Sequence, residues 1–386
     1  MPGEKTCGEK HNGLDGGART LTVSYEGLTY PVVVGDGLLR RLGSRLEGLG
    51  IGRDRPLFVL TDAAVRPLYG EALTQTLKAD GYRVGLYAVP SGEAAKSLAV
   101  LEAVVGAMLE AGIDRRGVLL ALGGGVVGDL GGFAAATYMR GIDYVQLPTT
   151  VLAHDSSVGG KVAVNHPKAK NAIGAFYPPR AVLYDVSTLR TLTPREVRAG
   201  LAELVKHALI DSPEMVDWVV SVHRALLNVE PDVTQEALYR GIAVKAAVVA
   251  ADARETRGVR ERLNVGHTVA HALEATEGYG SLLHGEAVAV GLVWETALAV
   301  ELGFAPPALL ETVRRAVRAF ELPTAPPSLG DLPAIVARMQ YDKKNRGARV
   351  RFALLSEIGK VELVDLEAER LPALLSAALA RSRNGA

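Results

Sequence analysis

Short apolar runs alternate with helix-like stretches over the first half of the chain. "RTLTVSY" and "YPVVVG" face each other across Glu26-Gly27, which predicts a hairpin. "PLFVLTD" (56–62), "RVGLYAVP" (83–90), "GVLLALGGG" (117–125), "DYVQLPTT" (143–150) and "AVLYDV" (181–186) are β-branched or apolar and short. Helical periods such as "SLAVLEAVVGAMLEAG" lie between several of them. This alternation predicts a parallel sheet covered by helices, an α/β fold, over residues 19–186. After Thr193-Pro194 the pattern changes. "REVRAGLAELVKHALI", "QEALYRGIAVKAAVVAADAR", "HTVAHALEATEG", "GEAVAVGLVWETALAVELG" and "PALLETVRRAVRAF" are rich in Ala and Leu with helical period. A late "RVRFALLSEIGKVELV" reads as a small hairpin, so residues 187–386 are predicted to be mostly α-helical. The polar, Gly-rich residues 1–18 read as a disordered tail without the apolar core of a signal peptide.

Composition narrows the function classes. Lys plus Arg and Asp plus Glu are 43 each, so the chain has no basic excess for nucleic acid, and any anion site must be a local cluster of cations. The one cysteine, Cys7, excludes an intrachain disulfide and a cysteine-based zinc site, and suits a reducing, cytoplasmic setting. No apolar run approaches the ~20 residues of a membrane span.

Two stretches carry candidate chemistry. "LLALGGGVVGDLGGF" sets Gly123-Gly124-Gly125 after an apolar strand and before a helix-compatible run. Glycines there let backbone N–H groups approach a pyrophosphate, although the spacing is not the common dinucleotide fingerprint. Asp62, ending "FVLTD", suits either a ribose hydroxyl or a helix N-cap. The second stretch is "RLNVGHTVAHALEATEGYGSLLHGEAVAVG". His267 and His271 are four apart and share a helix face, and His284 follows thirteen residues later. Glu203, inside the apolar "AGLAELVKHAL", offers a carboxylate, or else pairs with Lys206 on the surface. Spacing alone leaves open which histidines would hold a metal.

Seven motifs then stand in one order: "SGEAAKS", "GGGVVGDLGGFAAATYMRG", "PTTVLAHDSSVGGKVAVNHPKAKNAIGAF", "RAGLAELVKHALI", "RLNVGHTVAHALE", "LHGEAVAVG" and "DKKNRG". Together, from about residue 20 to about 365, they closely resemble the 3-dehydroquinate synthase family of sugar-phosphate cyclases. The resemblance implies an N-terminal NAD-binding α/β domain (19–186) and a helical metal- and substrate-binding domain (187–386). It implies a cytoplasmic homodimer using NAD and a divalent metal, zinc or cobalt. The implied reaction converts 3-deoxy-arabino-heptulosonate 7-phosphate to 3-dehydroquinate and phosphate, a phosphorus–oxygen lyase step of the shikimate route to chorismate and the aromatic amino acids. Rival readings are a cyclase making a valiolone or a deoxy-inosose, and a metal-dependent polyol dehydrogenase.

Residue by residue, the resemblance implies that Glu203, His267 and His284 hold the metal, whereas His271 faces substrate. It implies catalytic roles for His271, Lys161, Lys206, Asn171, Asn264 and Asp155, the last beside the nicotinamide, unless Asp155 merely caps "SSVGG". Substrate anions fall to Arg140, Lys245, Arg260 and the pair Lys343-Lys344; Lys245 and Arg260 match carboxylate partners, and Arg140 reaches toward the neighbouring subunit. The cofactor side comprises Asp62, Glu93, Lys96, Gly124, Gly125, Asp129, Thr149, Thr150, Lys161, Lys170 and Thr188. "DARETRGVR" (252–260) departs from the family pattern by one residue and by Ala253 in place of an acid, which leaves the role of Glu255 open.

Overall fold

The computed structural model describes residues 17–277, 282–326, 332–340 and 349–383. Most of the expected tail and the pair Lys343-Lys344 lie outside the described residues. The chain divides into two compact units, Met1–Arg190 with Thr234–Ala246, and Thr191–Val233 with Ala247–Ala386. Thr234–Ala246 come from the helix Pro231–Ala251, so Lys245 belongs to the first unit despite its late position in sequence.

The first unit is built on a seven-stranded sheet. Its strands are β1 (Arg19–Tyr25), β2 (Leu28–Gly35), β3 (Leu57–Asp62), β4 (Val84–Val89), β5 (Val118–Gly123), β6 (Asp143–Pro148) and, after a separate hairpin of β7 (Lys161–His166) and β8 (Ala169–Phe176), β9 (Ala181–Asp185). The order is β1-β2-β9-β6-β5-β3-β4. Within this sheet only β1 and β2 are antiparallel, joined at Glu26-Gly27 as expected; every other pairing in it is parallel. The strands read as continuous apolar runs because both faces are covered. Phe58, Leu60, Leu119 and Ala121 point into one core, with Val104, Met108, Leu130 and Val162. Leu57, Val59, Leu120 and Leu122 point into the other, with Leu42, Leu46, Leu73 and Leu77. The β7–β8 hairpin was not foreseen: "KVAVNHPKAKNAIGAF" has strand periodicity only on its first arm, and β8 is largely exposed.

The second unit is helical, with one hairpin of β10 (Arg349–Glu357) and β11 (Lys360–Glu367) where the late apolar run predicted it. The helix Pro194–Asp211 starts at a capping box: Thr193 receives the Glu196 N–H while the Glu196 carboxylate accepts from the Thr193 N–H at 2.8 Å. Pro at its first position needs no N–H. The helices His267–Glu277 and His284–Glu301 pack tightly on their neighbours through glycine. A Cβ on Gly285 would stand 1.7 Å from the Ala199 carbonyl oxygen of the helix Pro194–Asp211. One on Gly291 would stand 1.9 Å from the Gly266 carbonyl oxygen, just before His267. Backbone therefore touches backbone at both ends of "HGEAVAVG", a spacing no larger residue permits. No helix among the described residues is long and apolar enough to cross a membrane.

Candidate metal and nucleotide sites

In the second unit, Glu203 projects from the middle of the helix Pro194–Asp211, His267 opens one helix and His284 opens the next. Glu203 Oε1 is 3.3 Å from His267 Nε2 and 3.3 Å from His284 Nε2. The three residues form a group whose ligand atoms lie within 4.8 Å of one another. Donors bound to one tetrahedral ion at about 2.0–2.1 Å stand about 3.3 Å apart, so the observed separations fit a shared divalent cation. Each ring is held by its other nitrogen: His267 Nδ1 lies 3.1 Å from the Val265 carbonyl and His284 Nδ1 3.3 Å from Glu274 Oε2. A proton at Nδ1 leaves Nε2 as the ligand atom, the usual arrangement of metal-binding histidines. His271, exposed on the same helix face, is not in the group; its ring centre is 5.4 Å from that of His267 and 6.3 Å from that of His284.

Electrostatics separates the two inner histidines. Burial lowers His267 to about 4, only partly opposed by Glu203. Burial also acts to lower His284, but Glu203 and Glu274 outweigh it and raise that ring to about 10. Lys206 Nζ is 2.5 Å from Glu203 Oε2, and both side chains are about 1% exposed. The surface-pair alternative is therefore excluded: this is a buried ion pair that shares Glu203 with the two histidines.

Other predicted residues of this unit lie in structured places. Arg260 is buried; its Nη1 donates to the Ala253 carbonyl at 2.5 Å and its N–H to Asp252 Oδ2 at 3.2 Å. Asp252 organises the unusual 252–260 loop by also accepting from the N–H groups of Thr256 and Arg257. Glu255 sits in that loop with φ 59°, a left-handed conformation rare outside glycine. Asn264 donates to the Glu261 carbonyl at 3.1 Å.

In the first unit, the glycine loop joins β5 to the helix Gly125–Thr137. A Cβ on Gly124 would meet the Thr150 methyl at 3.0 Å, and one on Gly125 the Ser156 hydroxyl at 3.0 Å. The helix N-terminus is thus left open by bare backbone, as an anionic ligand requires. Thr149 Oγ1 is buried with no hydrogen-bond partner among the described residues, a polar atom suited to a bound ligand. Lys96, 5% exposed, donates to Asp129 Oδ2 at 2.6 Å and to Asn171 Oδ1 at 2.5 Å. Burial raises the Asp129 carboxyl, opposed by Lys96. Asn165 ties the group together: its amide donates to Glu93 Oε1 at 2.8 Å and its Oδ1 accepts from the Asn171 N–H at 2.8 Å. Asp62 Oδ1 accepts from the Ala64 and Val65 N–H groups at 2.8 and 3.0 Å, so that oxygen caps the turn after β3. Lys245 Nζ lies 3.1 Å from Asp155 Oδ2 and 2.5 Å from its carbonyl, which makes Asp155 a partner of Lys245. Thr188 is buried and donates to the Asp185 carbonyl at 2.7 Å. Lys161 and Arg140 are exposed, Lys170 is half-buried, and Arg140 has φ 69° in the turn Tyr138–Arg140.

Sequence reasoning missed Glu274, Glu295 and Asn165. Glu274 was findable, since it lies seven residues after His267 and three after His271, on their helix face. Glu295 was too: it interrupts an apolar helix, the signal that singled out Glu203.

Residues 86–199 match the family model "3-dehydroquinate synthase N-terminal", and residues 200–345 match "3-dehydroquinate synthase C-terminal". The chain belongs to the 3-dehydroquinate synthase family. It is 48% identical over 345 residues to the 3-dehydroquinate synthase of Geobacillus kaustophilus, covering 89% of this chain and 93% of that protein. It is 43% identical over 359 residues to that of Azotobacter vinelandii, covering 92% and 96%. Among solved structures, a 2-deoxy-scyllo-inosose synthase complexed with carbaglucose-6-phosphate, NAD⁺ and Co²⁺ superimposes with a TM-score of 0.83 at 26% identity, covering 92% of this chain and 99% of that one. The 2-epi-5-epi-valiolone synthase of Streptomyces hygroscopicus, with NAD⁺ and Zn²⁺ bound, gives 0.82 at 29% identity, covering 93% and 99%. A glycerol dehydrogenase from Schizosaccharomyces pombe shares the fold alone, at 16% identity and a TM-score of 0.63 with 92% and 89% covered.

Proposed function

We propose that the protein converts 3-deoxy-arabino-heptulosonate 7-phosphate to 3-dehydroquinate and phosphate, as a cytoplasmic homodimer using NAD and zinc or cobalt. The observation that carries the chemistry is the trio Glu203, His267 and His284, with ligand-atom separations of 3.3 Å from one carboxylate oxygen to both rings. When bound, the nucleotide supplies a reversible hydride acceptor and the cation an electrophile that acidifies a substrate hydroxyl. The chain's part is to place and to hold charge. Glu203, His267 and His284 bind the cation, with the Val265 carbonyl and Glu274 fixing the rings. Gly124 and Gly125 leave the helix N-terminus open to the pyrophosphate, beside the hydroxyls of Thr149 and Thr150. Lys96 holds Asp129 and Asn171 in place. Lys206 keeps its ammonium against Glu203. His271, outside the ligand trio, presents an imidazole that gives or takes a proton at the substrate. Lys245 and Arg260 meet the substrate carboxylate, and Arg140, on its exposed turn, serves the phosphate of the neighbouring subunit's substrate.

The choice of substrate rests on the curated relatives, at 43–48% identity, against 26–29% for the inosose and valiolone synthases. Turnover with the heptulosonate phosphate, following phosphate and NADH absorbance together, tests it. The expected result is phosphate in large excess over enzyme with no steady rise in NADH, arrest by EDTA, and recovery with Zn²⁺ or Co²⁺. One NADH released per substrate consumed would replace this reading with a polyol dehydrogenase.

A further inference from the structure

Glu295 lies in the middle of the helix His284–Glu301 and is 1% exposed. A buried carboxylate in an apolar helix is costly unless its oxygens are met. Both are met by backbone: Oε2 accepts from the Gly266 N–H at 2.9 Å and Oε1 from the Val269 N–H at 2.8 Å. These N–H groups stand at the start of the helix His267–Glu277, where donors lack partners within the helix. The favourable end of that helix's dipole points at the same carboxylate. Gly291, one turn before Glu295, provides the room, since its missing Cβ lets the Gly266 carbonyl come against the helix. One carboxylate thus ties together the two helices that begin with His267 and His284.

The tie reaches further than the helix cap. The peptide between Val265 and Gly266 gives its N–H to Glu295 Oε2, and its carbonyl faces His267 Nδ1 at 3.1 Å. A hydrogen bond to a negative group at the N–H increases the electron density on the carbonyl of the same peptide and fixes the peptide plane. The line runs from Glu295 through that peptide to His267 Nδ1, leaving Nε2 aimed at Glu203 Oε1 at 3.3 Å.

We propose that Glu295 is a positioning residue for the metal centre, acting through the 265–266 peptide to set the orientation and basicity of His267. This rests on the reading of Glu203, His267 and His284 as metal ligands. Outer-shell partners of this kind are worth about 10–100-fold in metal affinity.

The test compares the wild type with Glu295→Gln, which keeps size and one acceptor, and Glu295→Ala, which keeps neither acceptor. Three quantities are read: the Co²⁺ dissociation constant by chelator competition, the visible spectrum of the Co²⁺ protein, and hydrogen exchange over residues 262–275. Far-UV circular dichroism and a cooperative calorimetric melt report intact folding. Glu295→Gln should bind Co²⁺ about tenfold more weakly, with an altered spectrum and faster exchange at the helix start, and Glu295→Ala more weakly still. A purely structural carboxylate would lower the melting temperature and leave the Co²⁺ spectrum of Glu295→Gln unchanged. If Glu295→Ala fails to fold, the Gln variant alone decides. Wild-type metal uptake with unchanged affinity and spectrum in Glu295→Gln overturns this proposal only. A wild type that takes up no metal overturns both this proposal and the ligand assignment beneath it.

Discussion

Replacing Gly285 by alanine is the sharpest available test of how the proposed metal ligands are assembled. The added Cβ would stand 1.7 Å from the Ala199 carbonyl oxygen, 2.5 Å from its carbon and 2.9 Å from the Ala199 Cα. An ordinary carbon–oxygen contact is about 3.3 Å, so the two helices must part by about 1.5 Å along that line. Every atom in the way is backbone, and no rotamer change relieves it. Overpacking of an ordinary core costs roughly 1–3 kcal/mol where side chains can shift, and here the upper figure is the floor. A loss of about 3 kcal/mol lowers the melting temperature by roughly 6–12 °C for a unit of this size. The metal centre should suffer more. Gly285 follows His284 directly, and Ala199 lies one helical turn before Glu203. The 3.3 Å between His284 Nε2 and Glu203 Oε1 would open, whereas four-coordinate ligands at about 2.0–2.1 Å need about 3.3 Å. Co²⁺ titration with calorimetric melting measures both effects, and metal affinity should fall at least as far as the roughly 100-fold upper end for outer-shell changes. Gly106→Ala is the control: it sits within the helix Leu98–Glu110, nothing lies within 4 Å of its missing Cβ, and it should gain roughly 0.5–1 kcal/mol. Gly285→Ala protein with wild-type melting and wild-type Co²⁺ affinity would refute the argument that backbone contact here sets the ligand geometry.

His267→Ala and His284→Ala should emerge without metal by atomic absorption, while His271→Ala keeps metal and loses turnover; a metal-free His271→Ala protein would return the site to the paired-histidine arrangement. Asp252→Asn should destabilise the 252–260 loop by about 1–3 kcal/mol at neutral pH, since a charged acceptor of backbone N–H groups is lost. Burial acts to raise the Asp252 carboxyl, but the N–H groups of Arg260, Arg257, Thr256 and Val259 prevail and hold it below the usual carboxylate range. A depressed folded value means stabilisation that is full above the unfolded value, about 3.9, and lost as pH falls through the folded one. Hydrogen exchange of this loop should therefore accelerate below about pH 4 in the wild type and change little there in Asp252→Asn; equal acid profiles in the two proteins would remove Asp252 as the organiser.

The sheet was legible because each central strand is buried on both faces and leaves an uninterrupted apolar run, as in Leu57–Asp62 and Val118–Gly123. The β7–β8 hairpin was not, because β8 alternates between exposed and half-buried positions and carries no apolar run. The assignment of Lys245 to the first unit was hidden for another reason. It depends on a helix that spends its middle, Thr234–Ala246, in that unit, and no local pattern encodes this. At the candidate metal site, the periodicity of His267 and His271 was visible, but which rings face Glu203 was not. Glu274 and the Val265 carbonyl hold rings by their Nδ1 atoms, which is a matter of tertiary geometry. The glycines of "HGEAVAVG" were legible as helix-weakening residues, whereas their purpose is the approach of Ala199 and Gly266.

The charges around the centre argue for the same conclusion by a separate route. Glu203, Glu274 and Glu295 are all buried in helices of the second unit, and Glu203 is paired with the buried Lys206. Glu203 meets Lys206 through one oxygen and faces the two ring nitrogens through the other, so a divalent cation held there would share this carboxylate with the ammonium. His284, the ring raised to about 10 by Glu203 and Glu274 against the pull of burial, also responds to this carboxylate. Lys206→Met separates the two sources of compensation. Removing one partner of a buried pair costs about 3–5 kcal/mol when nothing replaces it. In the metal-free protein Glu203 keeps the rings of His267 and His284 as neighbours; in the metal-bound protein it would meet the cation as well. The variant should therefore be more destabilised without metal than with it. Melting curves with and without Zn²⁺ should show a larger metal-induced shift for Lys206→Met than for the wild type, together with loss of turnover. Equal shifts in the two proteins would mean that Lys206 and the cation do not share Glu203, and the charge argument for a metal at this point would fail.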